Sequence, residues 1–286
     1  MSGVNVDDRD SRAVPGGSPV ASAGHERRAS IAVVMPAYNE ADRIEQTLAS
    51  IARYFGEHDV DWPIVLADDG STDGTVERAT TAARRLELPL RLLTFEHRGK
   101  AATVRDAMLA VAAETEVDYL MMLDADDELP ISQLDHISWS ADARTIYIGR
   151  RVAETHGSQG VMPTPLRRLM SGTMRLASRV LLGLTYPDTQ CGFKLFPRDY
   201  ARALFGRQWT TGWVFDAELL AIATRVLRLP VQEVEVTWQP RGESKVGASA
   251  MLVSGLAMLG VGVRFRLGLY DRPRRPKPAR SRLSST

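Results

Sequence analysis

With a single cysteine, Cys191, the chain cannot form an internal disulfide, and a lone thiol fits a reducing compartment. Both common glycine cradles for phosphate are missing. No Gly-x-Gly-x-x-Gly follows the first apolar run and no Gly-x-x-x-x-Gly-Lys-Ser/Thr occurs anywhere, which argues against dinucleotide binding and P-loop ATP chemistry. The five histidines show no metal-ligand spacing, and His97 and His136 read as loop residues. Charge is nearly balanced, 36 basic against 35 acidic residues, so net charge points to no acidic partner, and no nucleic acid is expected as one. Residues 1–29 contain no consecutive apolar stretch that could serve as a signal peptide; rich in Asp, Arg, Gly, Ser and Pro, they read as disordered. From Val246 to Val263 there are 18 uncharged residues, at the lower limit for a membrane span, but Gly247, Gly255, Gly260 and Gly262 with Ser249 and Ser254 dilute them. An interfacial or re-entrant helix over 246–270 is therefore expected in preference to a full crossing.

The hydrophobic content, 44%, is enough for one large domain with appendages. Short apolar runs at Ile31–Met35, Ile64–Ala67, Leu90–Phe95, Tyr119–Leu123 and Ile146–Gly149 predict buried strands. Between them, helical spacing predicts helices from Glu40, with Asn39 as its cap, to about Tyr54, from Asp73 to Leu86, and from Lys100 to Ala113. Strands alternating with helices imply right-handed crossovers and a mostly parallel sheet in an α/β fold. That topology puts Tyr38 and Glu40, Asp68 and Asp69, and Asp124 and Asp126 on one rim, at the strand C-termini where open α/β sheets bind ligands.

Asp124-Ala125-Asp126-Asp127-Glu128 is the densest feature of that rim. Four acids in five residues repel one another unless a cation neutralises them, and hard oxygen ligands suit Mg²⁺ or Mn²⁺ holding a diphosphate. They also read as turn and N-cap carboxylates before Pro130. Without a glycine cradle, diphosphate must be held by metal and side-chain cations, for which Lys100, Arg150 and Arg151 are placed.

Beyond Arg151 the pattern changes. Over about 166–184 Arg168, Arg175 and Arg179 share one helical stripe beside Leu169, Met170, Leu176, Val180 and Leu181, the form of a basic amphipathic helix at a membrane interface or of an ordinary core-facing helix. From Arg264 onward eight basic residues face one acid, Asp271, so 271–286 reads as a basic disordered tail, either drawn to an anionic membrane surface or simply solvated.

Taken in order, Val34-Met35-Pro36-Ala37-Tyr38-Asn39-Glu40, Asp68-Asp69-Gly70-Ser71-Thr72-Asp73-Gly74-Thr75, Gly99-Lys100, Asp124-Ala125-Asp126, Gly149-Arg150-Arg151, Asp188-Thr189-Gln190-Cys191-Gly192-Phe193-Lys194 and Arg241-Gly242-Glu243-Ser244-Lys245 resemble the family 2 glycosyltransferases of GT-A fold, of the dolichyl or polyprenyl phosphate glucosyl- and mannosyltransferase type. The resemblance spans about Ser30 to Tyr270. It implies a Rossmann-like GT-A domain over 30–245, flanked by helices, with C-terminal amphipathic membrane-interface helices. It also implies that Pro36, Tyr38, Glu40, Ala67 and Asp69 line a nucleoside pocket, with Asp69 near the base or ribose. Lys100 and Ala125 join the substrate-binding set. Asp124 and Asp126 form the metal pair, joined by Glu128, where relatives often have Gln. Arg151, Arg167, Arg241 and Lys245 match positions that bind donor diphosphate and lipid phosphate, although Arg150-Arg151 stands where the family usually has Ser-Arg.

The implied reaction is an inverting transfer of a hexose from a nucleotide sugar, UDP-glucose before GDP-mannose, to a polyprenyl or dolichyl phosphate. It would take place at the cytoplasmic face of a membrane with which the protein is peripherally or monotopically associated. Charge growing on the departing diphosphate calls for a metal and arginines. A phosphate acceptor is already an anion, so no base is needed. Two other readings stay open: transfer to a hydroxyl on a glycan or glycolipid with Asp216 as base, and a non-catalytic nucleotide-binding scaffold at a membrane. Cys191, with no histidine near it in sequence, reads as a packing residue.

Overall fold

The structure is a computed structural model that describes residues 29–152, 165–239, 248–273 and 282–283. Strands β1 (Ile31–Ala37), β2 (Ile64–Asp68), β3 (Leu90–Thr94) and β4 (Tyr119–Met122) form the parallel centre of the sheet. They alternate with helices α1 (Ile44–His58), α2 (Thr75–Arg85) and α3 (Lys100–Glu114). Next come β5 (Ile146–Val152), α4 (Pro165–Leu182), β6 (Lys194–Pro197), α5 (Arg198–Phe205), α6 (Phe215–Ala221), β7 (Val231–Thr237) and α7 (Ala248–Arg266). The strand order is β7-β5-β6-β4-β1-β2-β3, and β8 (Arg282–Leu283), within the segment read as a tail, pairs antiparallel with β3 at the far edge. Strand β6 runs antiparallel between β4 and β5, while β5 and β7 are parallel.

Alternation along β1 explains why the central strands read as continuous apolar runs. Ala32 and Val34 pack on one face with Val65, Ala67, Leu120 and Met122, under α3, α5 and α6. Ile31, Val33 and Met35 pack on the other with Ile64, Leu66, Tyr119 and Met121, under α1 and α2. Both faces are covered, so neither has room for polar side chains.

Helix α1 starts at Ile44, later than expected, because Asn39 does not cap it. Asn39 takes a left-handed conformation (φ 54°), and its side-chain oxygen accepts the Thr72 amide at 3.0 Å while its own amide donates to the Ser71 hydroxyl at 2.9 Å. The residue stitches two rim loops together instead. Two strands escape the apolar-run criterion: β6 opens with a lysine and closes with a proline, and β7 is an edge strand with Glu233 and Glu235 facing out.

At the opposite end of the chain α7 packs on α4, where any side chain at Gly262 would meet Leu181. Ser254, Met258 and Val261 are buried on its inner side. Its outer side is also apolar, with Val253, Leu256, Leu259 and Val263 exposed in a stripe that continues to Leu267, and Leu176 and Val180 of α4 are exposed as well. Among the described residues no helix is long and apolar enough to cross a membrane.

Candidate active site

Parallel registry brings the expected rim together: Pro36 lies beside Ala67, and Ala37 beside Asp68. The turn after β2 is closed by the Asp68 carboxylate, which accepts the amides of Gly70 and Ser71. Further bonds tie it to the β1 loop, from the Glu40 amide to the Thr75 hydroxyl at 2.9 Å and from the Ala41 amide to Asp73 at 3.1 Å. Glu40 keeps its carboxylate at the rim, 3.6 Å from Arg43. Tyr38 is 42% exposed and stacks on His97, ring centroids 4.1 Å apart, so the rim offers a flat aromatic surface.

Asp69, expected beside a base or ribose, turns inward. Its buried carboxylate accepts the Arg98 amide (3.0 Å), the Gly99 amide (2.9 Å) and the Thr103 hydroxyl (2.7 Å), and lies 2.9 Å from His97 Nδ1. Asp69 thus anchors the loop that carries His97 and delivers Lys100 to the site. Glycine at position 70 (φ 78°) is needed for that turn, because a Cβ there would press on the His97 amide at 3.1 Å.

At the end of β4 the acids separate. Lys100 Nζ sits 2.5 Å from Asp124 Oδ1. Burial pushes the Asp124 carboxyl up, but Lys100, then Lys194 and Arg151, outweigh it and hold the pKa below the usual range. Ala125 is buried, its carbonyl accepting the Thr47 hydroxyl of α1 at 2.8 Å. Among the described residues Asp126 meets no such cation. Burial first, then the charge of Asp124 and Glu128, push its carboxyl up to about 6, and the Glu128 amide donates to it at 3.1 Å. Glu128 aims its carboxylate at the Trp238 indole N–H, 2.8 Å away. Among the described residues no three His, Cys, Asp or Glu side chains converge on a metal position. A carboxylate whose charge is opposed by two acidic neighbours still fits a divalent ion, which Asp124 and Asp126 would hold.

Beside this corner opens a cavity of about 620 Å³ whose lining includes Lys100, Asp124, Arg151, Asp188 and Asp216, and, from the α4–α7 side, Arg175 and Met258. Arg151 holds Asp188 bidentately at 2.7 and 3.0 Å and lies over Trp238. Arg150 pairs with Glu235 on β7 and reaches the cavity wall as well. Sequence reasoning missed Lys194. Fully buried, it donates to the Cys191 carbonyl and sits 2.7 Å from Asp216 Oδ1. Its place in the Asp188–Lys194 motif was the available signal. Asp216 itself is buried at the start of α6, and burial raises its carboxyl pKa against the pull of Lys194 and Lys100. The side chain of Arg167, in the first turn of α4, and the whole of Arg241 and Lys245 lie outside the described residues.

A parallel-centred sheet with an acidic pair at one strand end and cations around it has the layout of an α/β enzyme that binds an anionic ligand at its strand C-termini, and comparison with known proteins supplies the class. The glycosyl transferase family 2 model matches residues 32–205. A dolichyl-phosphate β-glucosyltransferase of Trichomonas vaginalis is 33% identical over 249 residues, covering 83% of this chain and 72% of the relative. The dolichyl-phosphate β-glucosyltransferase of Saccharomyces cerevisiae is 29% identical over 264 residues, covering 84% and 76%. Among solved structures, glucosyl-3-phosphoglycerate synthase from Mycobacterium tuberculosis, in complex with Mn²⁺, UDP and phosphoglyceric acid, superposes with a TM-score of 0.59 at 18% identity, covering 84% of this chain and 79% of that one. That likeness establishes the GT-A fold. The chain belongs to glycosyltransferase family 2 and is a glycosyltransferase.

Proposed function

We propose that this enzyme transfers glucose from UDP-glucose to a polyprenyl or dolichyl phosphate, with inversion, at a membrane surface. The observation that carries the reading is the cavity, which joins the Lys100–Asp124 corner to the α4–α7 pair and is walled by Arg150, Arg151 and Arg175. An anionic headgroup fits such a wall, and the exposed apolar stripe on the outer side of α7 fits a lipid surface. The names of the two relatives point to the same donor sugar and acceptor.

The residues divide the work by charge. Tyr38 and the Pro36–Ala67 pair offer the nucleoside a surface at the ends of β1 and β2. Lys100 and Arg151 place positive charge where the departing diphosphate becomes more negative. A bound Mg²⁺ or Mn²⁺ at Asp124 and Asp126 would neutralise the diphosphate and act as a Lewis acid. Arg175 and Arg150 screen repulsion between the two anions that must approach each other. The acceptor oxygen attacks unaided, because a phosphate carries no proton that has to be removed first.

Radiolabelled UDP-glucose and GDP-mannose, each offered with polyprenyl phosphate with and without EDTA, test this reading. Glucose label in butanol-extractable lipid that disappears with EDTA is the expected result. Label confined to a glycan or neutral glycolipid overturns the acceptor, and donor binding with no turnover overturns catalysis.

A further inference from the structure

Lys194 is the least expected residue near the site. Lysine is almost never fully buried without a partner, yet this one has 0% exposure at the start of β6, in register with Met122 of β4 and Ile148 of β5. Among the described residues its ammonium meets the Cys191 carbonyl and the Asp216 carboxylate. The carbonyl matters because its peptide bond leads into Gly192, which lies so close to Asp124 that a Cβ there would stand 2.1 Å from Asp124 Oδ2. The Gly192 backbone is therefore the wall against which the Asp124 carboxylate rests, and Lys194 holds the residue immediately before it.

Asp216 is the other half of the arrangement. It lines the cavity, and it is the residue expected to act as base if the acceptor were a hydroxyl. Its Oδ1 lies 2.7 Å from the ammonium of a lysine that has no exposed surface, an ion pair without an aligned hydrogen bond. We propose that Lys194 is a positioning residue for sugar transfer: it locks Asp216 as a structural counter-ion and, through Cys191, fixes the Gly192 backbone behind Asp124, so that Asp216 supplies charge and does not abstract a proton. This rests on the phosphate-acceptor reading above and deepens it, since an enzyme that needs no base can spend its cavity carboxylate on holding a lysine.

Three variants in the full chain test the assignment: Lys194→Met, Asp216→Asn and the double variant, with kcat normalised to the folded fraction seen by circular dichroism. Losing one partner of a buried pair leaves the other charge uncompensated, whereas losing both does not. Lys194→Met is expected to lower kcat about 100-fold, and the double variant to recover at least about tenfold of that loss. Asp216→Asn is expected to keep at least about a tenth of wild-type kcat with an unchanged kcat–pH profile, where removal of a base takes about 10²–10⁴. A double variant no better than Lys194→Met, an Asp216→Asn variant that loses the acid limb of its profile, or a Lys194→Met enzyme with wild-type kcat overturns the proposal. A wild-type enzyme that labels only hydroxyl acceptors overturns the acceptor reading, and the same ordering of variants on that acceptor still decides Lys194.

Discussion

Replacing Asp126 by asparagine removes a charge that the folded protein holds at a disadvantage. Burial, then Asp124 and Glu128, move its carboxyl from 3.8 to about 6. The folded value exceeds the unfolded one, so ionisation opposes folding: the penalty is absent below the unfolded pKa, grows as the pH rises, and is complete above the folded pKa. The whole shift corresponds to at most about 3 kcal/mol. Partial solvent access and screening reduce it to about 1 kcal/mol, or about 2–4 °C in Tm for a chain of this size. In EDTA at about pH 8 Asp126→Asn is therefore expected to melt above wild type, and near pH 4 the two should converge. Millimolar Mn²⁺ should raise the wild-type Tm at the higher pH by mass action and move the variant far less. Differential scanning fluorimetry reads all of these. A variant that melts below wild type in EDTA at the higher pH, or one that answers Mn²⁺ as wild type does, refutes the account of Asp126 as an anion awaiting a cation.

Gly192→Ala should fold normally but lose sugar transfer by about 100-fold, because the added methyl must displace the Asp124 carboxylate from its place beside Lys100; wild-type turnover in that variant would show that the close approach is irrelevant. Changing Leu256, Leu259 and Val263 to serine should leave Tm within about 2 °C, since exposed side chains contribute little to folding, while abolishing co-sedimentation with anionic lipid vesicles. Undiminished vesicle binding would remove the α7 stripe from the membrane reading.

The part of the fold legible in the sequence is the part where one rule governs each residue. Strands β1, β2 and β4 are buried on both faces, so apolar runs mark them directly, and β3, half-buried and carrying Arg91, still keeps enough apolar residues to be read. Strand β6 obeys no such rule, because its leading residue is a lysine whose burial depends on Asp216, 22 positions away in the sequence. At the site, the identities on the rim are readable but their directions are not. Asp69 and Asp68 are adjacent acids of the same motif, yet both are consumed in closing loops. Asp124 and Asp126 differ by two positions and have opposite electrostatics, because only the first meets Lys100. The family resemblance joins Glu128 to the metal pair, while the tryptophan that receives it comes from the end of β7.

Cys191 lies fully buried with its sulfur against Gly149, and desolvation raises its thiol to about 11. It is the only sulfhydryl the chain possesses, so maleimide reagents should pass the native protein by. A cysteine introduced on the outer side of α7 would then be a unique handle for a spin label or fluorophore, able to report immersion depth without first stripping the background.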